Sequence, residues 1–221
     1  MSIAAKDVAR LEDCLAGDGV AVIPTDTVYG LACNPTSETA VRRIYELKRR
    51  PPRKPAAVMF FALEPALRAL ADGLSPRTRA AMSSLLPGPL TLLVADPDRR
   101  YPLALGSDTD NPPLLGLRVP ALTGPLAELT AVRAPALQSS ANFSGEPDPR
   151  SLDDVAAELR AGADLVLDGG ELPGTASTVI DLGEYERTGK WRIVRAGPVG
   201  EEDLERGLES CDTPSSPSKI Q

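Results

Sequence analysis

At 221 residues, with 42% hydrophobic and 25% charged content, the chain carries enough apolar material for one buried core, and no apolar run nears the roughly 20 residues of a membrane helix. A net charge of −7 and a pI near 4.8 argue against a general nucleic-acid binder. The absence of histidine excludes Ser-His and Cys-His catalysis and histidine metal ligands, and Cys14, Cys33 and Cys211 form no CxxC, so free thiols are expected and neither zinc nor disulfides are.

The N-terminus mixes acids into its apolar pattern, unlike a signal peptide, so the expected compartment is the cytoplasm. Val8, Leu11 and Leu15 recur at helical spacing, which predicts a helix over 4–16 ended by Gly17. Val20–Ile23 reads as a strand. It enters Pro24-Thr-Asp-Thr-Val-Tyr29, where three hydroxyls and a carboxylate stand within five residues. A helix over 37–48, capped by Ser37 or Thr36, follows with Val41, Ile44 and Leu47 inward. It ends on five cations in seven residues, Lys48, Arg49, Arg50, Arg53 and Lys54. The sequence therefore predicts strand, polar elbow, helix and cationic exit.

Ala56–Phe61 is a continuous apolar run, expected as a strand buried on both faces. Helices are predicted over 64–72 and 76–86, the second capped by Ser75 with Pro76 in its first turn. Pro87-Gly88-Pro89 breaks the chain. Strands are predicted at Leu90–Ala95 and Leu115–Val119. The polar stretch between them, 96–113, is long enough to be mobile or functional. A helix at 126–132 and a strand at 135–139 follow. Ser151 and Asp154 are spaced as a capping box for a helix over 151–161. Short strands are read at 165–167, 178–182 and 191–195, the last two joined by a polar turn. A short helix at 201–209 leads into a tail with disordered composition, and residues 201–221 carry six acids and two bases. The pattern points to an α/β fold: a single-domain, twisted, open mixed sheet with flanking helices and a polar, cationic cleft at strand ends. The domain is placed at 1–200 and the acidic, partly disordered tail at 201–221.

The chain has neither GxxxxGK[ST] nor GxGxxG, so any nucleotide phosphates must be held by cationic side chains and hydroxyls. Lys48, Arg50 and Lys54 suit that task, but cations at a helix C-terminus also complement the helix dipole without any ligand. The hydroxyls at 25, 27 and 29 fit either a ligand site at a strand end or a self-stabilised turn. Ser139, Ser140 and Asn142 repeat that arrangement. Arg118 lies between Leu117 and Val119 in a predicted strand, where a cation needs a partner or ligand. Ser177 and Arg195 stand at the two ends of the late hairpin.

Taken together, these blocks resemble the threonylcarbamoyl-AMP synthase family, the YrdC-like domain proteins. The likeness covers 19–199 and rests on PTDTVYGL (24–31), Lys48-x-Arg50-Pro51 with Lys54-Pro55, PGPLT (87–91), GLRVP (116–120), SSAN-x-SG (139–145), STV (177–179) and R-x-G-P (195–198). The resemblance implies an enzyme, a nucleotidyltransferase that converts ATP, bicarbonate and L-threonine into threonylcarbamoyl-AMP and pyrophosphate. That is the first step in threonylcarbamoyl modification of the adenosine beside the tRNA anticodon. It implies a catalytic tetrad of Lys48, Arg50, Ser140 and Asn142. It implies threonine contacts from Thr27, Arg118 and Ser177, and ATP contacts from Arg50, Lys54, Ser140 and Arg195. Mg²⁺ would come with ATP, with no protein metal site, and the product would pass to the transferase complex acting on tRNA. Three departures stand out: Arg49 where glycine is common, Leu114 where threonine is common, and no second C-terminal domain in this chain. The competing readings are a double-stranded RNA-binding module of the same fold and a carbamoyl-adenylate domain like that of hydrogenase maturation proteins. The acidic pI and few aromatics weigh against the first, and the lack of zinc-finger cysteines against the second.

Overall fold

The computed structural model describes residues 2–51, 54–106 and 113–209. Among them, nine strands form one mixed sheet: β1 (Val20–Ile23), β2 (Gly30–Cys33), β3 (Ala57–Met59), β4 (Leu90–Ala95), β5 (Leu114–Arg118), β6 (Ala136–Ser140), β7 (Leu165–Val166), β8 (Thr178–Asp181) and β9 (Arg192–Arg195). Their spatial order is β7-β1-β2-β6-β3-β5-β4-β8-β9. The pairs β1/β7, β3/β5 and β4/β8 are parallel and the other five are antiparallel.

The helices are α1 (Ala5–Ala16), α2 (Glu38–Leu47), α3 (Leu63–Ala69), α4 (Pro76–Leu85), α5 (Ala157–Gly162), α6 (Tyr185–Thr188) and α7 (Glu201–Glu209). Helix α1 buries Val8, Leu11 and Leu15, and α2 buries Ala40, Val41, Ile44 and Tyr45, each on the stripe that helical spacing dictates. Ser37 caps α2 by accepting the Ala40 N–H at 3.1 Å. Helix α7 docks on α4 through Leu204 and Leu208.

The elbow after β1 is not a passage into a helix. Residues 24–29 form the loop of a hairpin, and β2 returns antiparallel with Gly30 opposite Ile23. Strand β2 is buried at all four positions and paired on both sides, so it shows no alternation that would mark it as a strand. Helix α5 also starts later than its capping pattern suggests. Ser151 N–H donates to Asp154 Oδ2 at 2.9 Å and Asp154 N–H to Ser151 Oγ at 3.3 Å. These bonds close an isolated turn, and the helix begins only at Ala157. The segment expected as a helix at 126–132 is 3₁₀ over Gly124–Ala131. Ser75 stands at the N-cap of α4, but its hydroxyl donates to Thr78 Oγ1. The first free N–H groups of α4 go instead to Glu186 Oε2 at 3.1 and 3.2 Å, from α6, the short helix that stands in place of the expected polar turn between β8 and β9.

Strands β4 and β5 divide their residues between two faces. Leu92, Leu115 and Leu117 are fully buried in the apolar core. Thr91, Leu93, Gly116 and Arg118 face the other way, into a cleft. In the long stretch expected to be mobile or functional, Pro102–Ala104 is 3₁₀ and Asp96 accepts the Arg100 N–H at 2.9 Å. Residues 107–112 of that stretch, Arg53, Cys211 and residues 210–221 of the tail lie outside the described residues. Cys14 and Cys33 are free thiols, and burial pushes that of Cys33 up to about 12.

Candidate active site

The cleft has a volume of about 610 Å³, within the usual range for small-molecule sites. It opens at strand ends, as the polar blocks suggest, but it also runs across the face of the sheet from β6 to β9. Its centre is shallow in side chains. Gly116 pairs with Ala57 and Leu93, and Ala57 pairs with Gln138. A Cβ placed on Gly116 would come no closer than 3.4 Å to Ala57. Glycine there leaves open space in the cleft without being demanded by the backbone.

One end is built by the exit from α2 and the end of β6. Lys48 is 1% exposed. Its ammonium donates to the carbonyl of Ser140, to the carbonyl of Asn142 at 2.7 Å and to Asn142 Oδ1 at 3.0 Å. Ser140 Oγ donates to the same Oδ1 at 2.7 Å. The Asn142 amide nitrogen donates onward to the Glu146 carbonyl at 2.6 Å. Lys48, Ser140 and Asn142 thus form one knot, with each ammonium proton matched to a protein acceptor. Burial is the main cause pulling Lys48 down from 10.5 to about 8, and the neighbouring Arg50 adds to it.

Arg50 stands beside the knot, its guanidinium on the Pro55 carbonyl and 5.7 Å from the Tyr45 ring. Its Nε is buried without a partner, and burial lowers its pKa. Tyr45 donates its hydroxyl to the Lys54 carbonyl at 2.7 Å, which anchors the exposed Lys54 at the cleft rim.

The other end is centred on Arg118, which is 3% exposed. It donates to Asp26 Oδ1 at 2.6 Å, Thr27 Oγ1 at 2.7 Å and Gln138 Oε1 at 3.3 Å. Asp26 also accepts the Ala121 N–H at 2.9 Å. Burial lowers the Arg118 pKa and the Asp26 carboxylate opposes it. Thr91 pairs in register with Val179, and Val179 with Arg195, so Arg195 comes to the same end of the cleft. Its guanidinium donates to the Ser177 carbonyl at 2.8 Å and to Ser177 Oγ at 3.1 Å, and that Oγ lies 2.8 Å from Thr91 Oγ1. The cleft therefore offers guanidinium and hydroxyl donors at one end, and cations with a rigid polar turn at the other.

A family profile for Sua5/YciO/YrdC proteins, described as "Telomere recombination", matches residues 13–197. This chain belongs to the Sua5/YciO/YrdC family. Among curated relatives, the threonylcarbamoyl-AMP synthase of Pyrococcus abyssi is 33% identical over 184 residues, covering 83% of this chain and 52% of that protein. The chain thus spans about half the length of that relative. The synthase of Xanthomonas axonopodis pv. citri is 34% identical over 165 residues, covering 74% of this chain and 86% of the relative. Among solved structures, P. abyssi Sua5 complexed with L-threonine superposes with a TM-score of 0.79 at 29% identity, over 94% of this chain and 58% of that one. Escherichia coli YciO shares the fold, with a TM-score of 0.73 at 22% identity over 91% of this chain and 94% of that one.

Within this Sua5/YciO/YrdC chain, Thr27, Lys48, Arg50, Lys54, Arg118, Ser140, Asn142, Ser177 and Arg195 all come to the one cleft or to its hydrogen-bonded wall. Two hydroxyls of the first hairpin do not. Tyr29 is fully buried and bonds the Gly170 carbonyl at 2.8 Å, and burial pushes it up to about 12. Thr25 Oγ1 donates to the Val28 carbonyl at 2.7 Å, holding the loop. Arg49 adopts φ +51°, a left-handed conformation that explains why glycine suits this place. The turn sends its side chain away from the cleft, 4.4 Å over the Phe143 ring and 3.1 Å from Glu158. Arg49 therefore does not crowd the end of the cleft that Lys48 and Arg50 line. Leu114 does line the cleft. Sequence reasoning passed over Thr91, Gln138 and Gly116. The available signal was the period-2 register that puts Gln138 two residues before Ser140 and Gly116 two before Arg118.

Proposed function

We propose that this chain is a threonylcarbamoyl-AMP synthase. It condenses L-threonine and bicarbonate into a carbamate with loss of water. A carbamate oxygen then attacks the α-phosphorus of ATP, forming the mixed anhydride with AMP and releasing pyrophosphate. The names of the relatives support this reading. The observation that carries it is one cleft with an anchored guanidinium at one end, cations at the other and an open floor between.

In this reading the threonine carboxylate faces the Arg118 donors not taken by Asp26, Thr27 and Gln138. The threonine hydroxyl lies among Thr27 and Ser177. Arg195, which reaches Ser177, borders both substrates. The triphosphate lies along Arg50, Lys54 and Ser140, where cations offset the charge that develops on the leaving pyrophosphate. The nucleophile is already anionic, so the step depends on alignment and charge and needs no histidine base. Mg²⁺ enters with ATP. In this reading its main ligands are the phosphate oxygens of the nucleotide. The adenylate is labile and passes to a threonylcarbamoyl transferase acting on tRNA, and the proposed place of work is the cytoplasm. No described helix is long and apolar enough to cross a membrane.

The test is mass spectrometry of purified protein with ATP, Mg²⁺, L-threonine and bicarbonate, with pyrophosphate release followed in parallel. An adenylate that needs both threonine and bicarbonate is the expected product. Pyrophosphate release that ignores either one overturns the assignment.

A further inference from the structure

A carbamate must form midway along this cleft, between a threonine held at Arg118 and the phosphates near Ser140. The side chain that reaches this midpoint is Gln138. It sits two residues before Ser140 on β6, is 5% exposed and lines the cleft floor. Only its amide oxygen can accept from Arg118, a pure donor, so the 3.3 Å contact fixes which way the amide lies. Nε2 is thereby turned away from Arg118. It has no acceptor among the described residues and is not among their sealed, partnerless atoms, so it opens to the cleft.

The neighbouring strand makes room for this orientation. A Cβ on Gly30 would lie 2.4 Å from Gln138 Nε2. Gly30 is in β2, and its φ is not left-handed, so the backbone does not require glycine there. The missing side chain is space used by the amide.

We propose that the Gln138 amide nitrogen holds bicarbonate, and then the carbamate made from it, on the β6 side of the cleft between its two ends. This rests on the synthase reading and adds the subsite for its one-carbon substrate. A planar oxyanion needs a donor that carries no full charge at this point, because Arg118 and Arg50 already attract the threonine carboxylate and the phosphates on either side. Gln138 supplies N–H donors in a fixed direction, two residues from the Ser140 hydroxyl.

Gln138→Met keeps the length and apolar stem of the side chain and removes the donor. The expected result is an apparent KM for bicarbonate raised by about tenfold or more, the scale of one hydrogen bond to a charged group. Threonine binding by calorimetry without bicarbonate should stay within about threefold, since Arg118 keeps Asp26 and Thr27. Gly30→Ala tests the same claim while keeping the glutamine. Its Cβ displaces Nε2 and should give the same bicarbonate-selective defect, even if Gln138→Met folds poorly. An unchanged bicarbonate KM in both variants overturns the proposal. Equal losses for threonine, ATP and bicarbonate also overturn it, because they mean that Gln138 only props Arg118. If the wild-type chain makes no adenylate, the synthase reading falls and takes this proposal with it. If the wild type is active and the variants match it, only this proposal falls.

Discussion

Replacing Lys48 with methionine removes an ammonium and leaves the stem of the side chain in place. The buried carbonyls of Ser140 and Asn142 and the Asn142 Oδ1 then lose their shared donor. Charge-assisted bonds contribute about 1.5–3 kcal/mol each, so three acceptors stand to lose about 5–9 kcal/mol. Relief of the buried charge opposes this. The fall from 10.5 to about 8 corresponds to about 3 kcal/mol. The net loss is about 2–6 kcal/mol, toward the lower figure if the 142–148 turn relaxes and admits water, which lowers Tm by at least about 4 °C in a chain of this size. Urea unfolding of wild type, Lys48→Met, Asn142→Ala and the double variant closes a thermodynamic cycle, with an expected coupling of about 1–3 kcal/mol. pH gives a second readout. The folded lysine binds its proton less tightly than the unfolded one, so the folded chain carries fewer protons between about 8 and 10.5. Its cost to stability is full below that window and fades as pH rises through it, and Lys48→Met abolishes this slope. Additive stabilities, an unshifted Tm and full adenylate formation by Lys48→Met would together refute the knot and its part in catalysis.

At the other end, Arg118→Ala strands a buried Asp26 carboxylate and should cost about 3–5 kcal/mol along with threonine binding. Arg118→Lys should not restore threonine affinity by calorimetry, because one ammonium cannot reach Asp26, Thr27 and Gln138 in the same fork geometry. Gly116→Val fills the centre of the cleft where a Cβ has ordinary contact with Ala57, so adenylate formation should fall about 100-fold or more, roughly 3 kcal/mol of barrier, with Tm within a few degrees of wild type. Arg49→Gly relieves a left-handed φ of 51° and gives up an ion pair whose side chains are 70% and 71% exposed, so activity should hold within about twofold and stability within about 1 kcal/mol. A large loss of ATP affinity in that variant would place Arg49 in the cleft after all.

What could be read from the chain follows from where periodicity survives. Helices α1 and α2 were legible because each buries one stripe against the sheet, and the apolar spacing of Val8-Leu11-Leu15 and Val41-Ile44 records it. Strand β2 was not, since Gly30 to Cys33 is buried throughout and carries no polar face. Strand β4 was found, but its division into core and cleft faces was hidden, because Leu93 lines the cleft and is as apolar as Leu92. The run Lys48-Arg49-Arg50 was equally ambiguous. Charge marks all three alike, and only the left-handed turn at Arg49 sends two into the cleft and one out over Phe143. The recognisable blocks named most cleft residues because each sits at a strand end or turn. Gln138 was hidden because its neighbours, Gly30 and Arg118, are distant in sequence and come near it only through the β2/β6, β3/β6 and β3/β5 pairings.

The cations of the cleft do not share one task. Lys48 spends its protons on Ser140 and Asn142, Arg195 is turned toward Ser177, and Arg118 gives three of its bonds to the wall. Among the described cations of the cleft, the charge left for an anionic ligand, which the proposed reaction makes a departing pyrophosphate, therefore rests on Arg50 and Lys54. Lys54 is exposed, and its backbone carbonyl, not its side chain, is what Tyr45 holds. Lys54→Ala should accordingly raise the ATP KM about tenfold, or about 1.4 kcal/mol, with no measurable change in Tm. Lys48→Met should instead move stability and turnover together. If Lys54→Ala lowers Tm as much as Lys48→Met does, or leaves the ATP KM unchanged, this division is wrong, and the buried ammonium must itself open toward the phosphates when ATP binds.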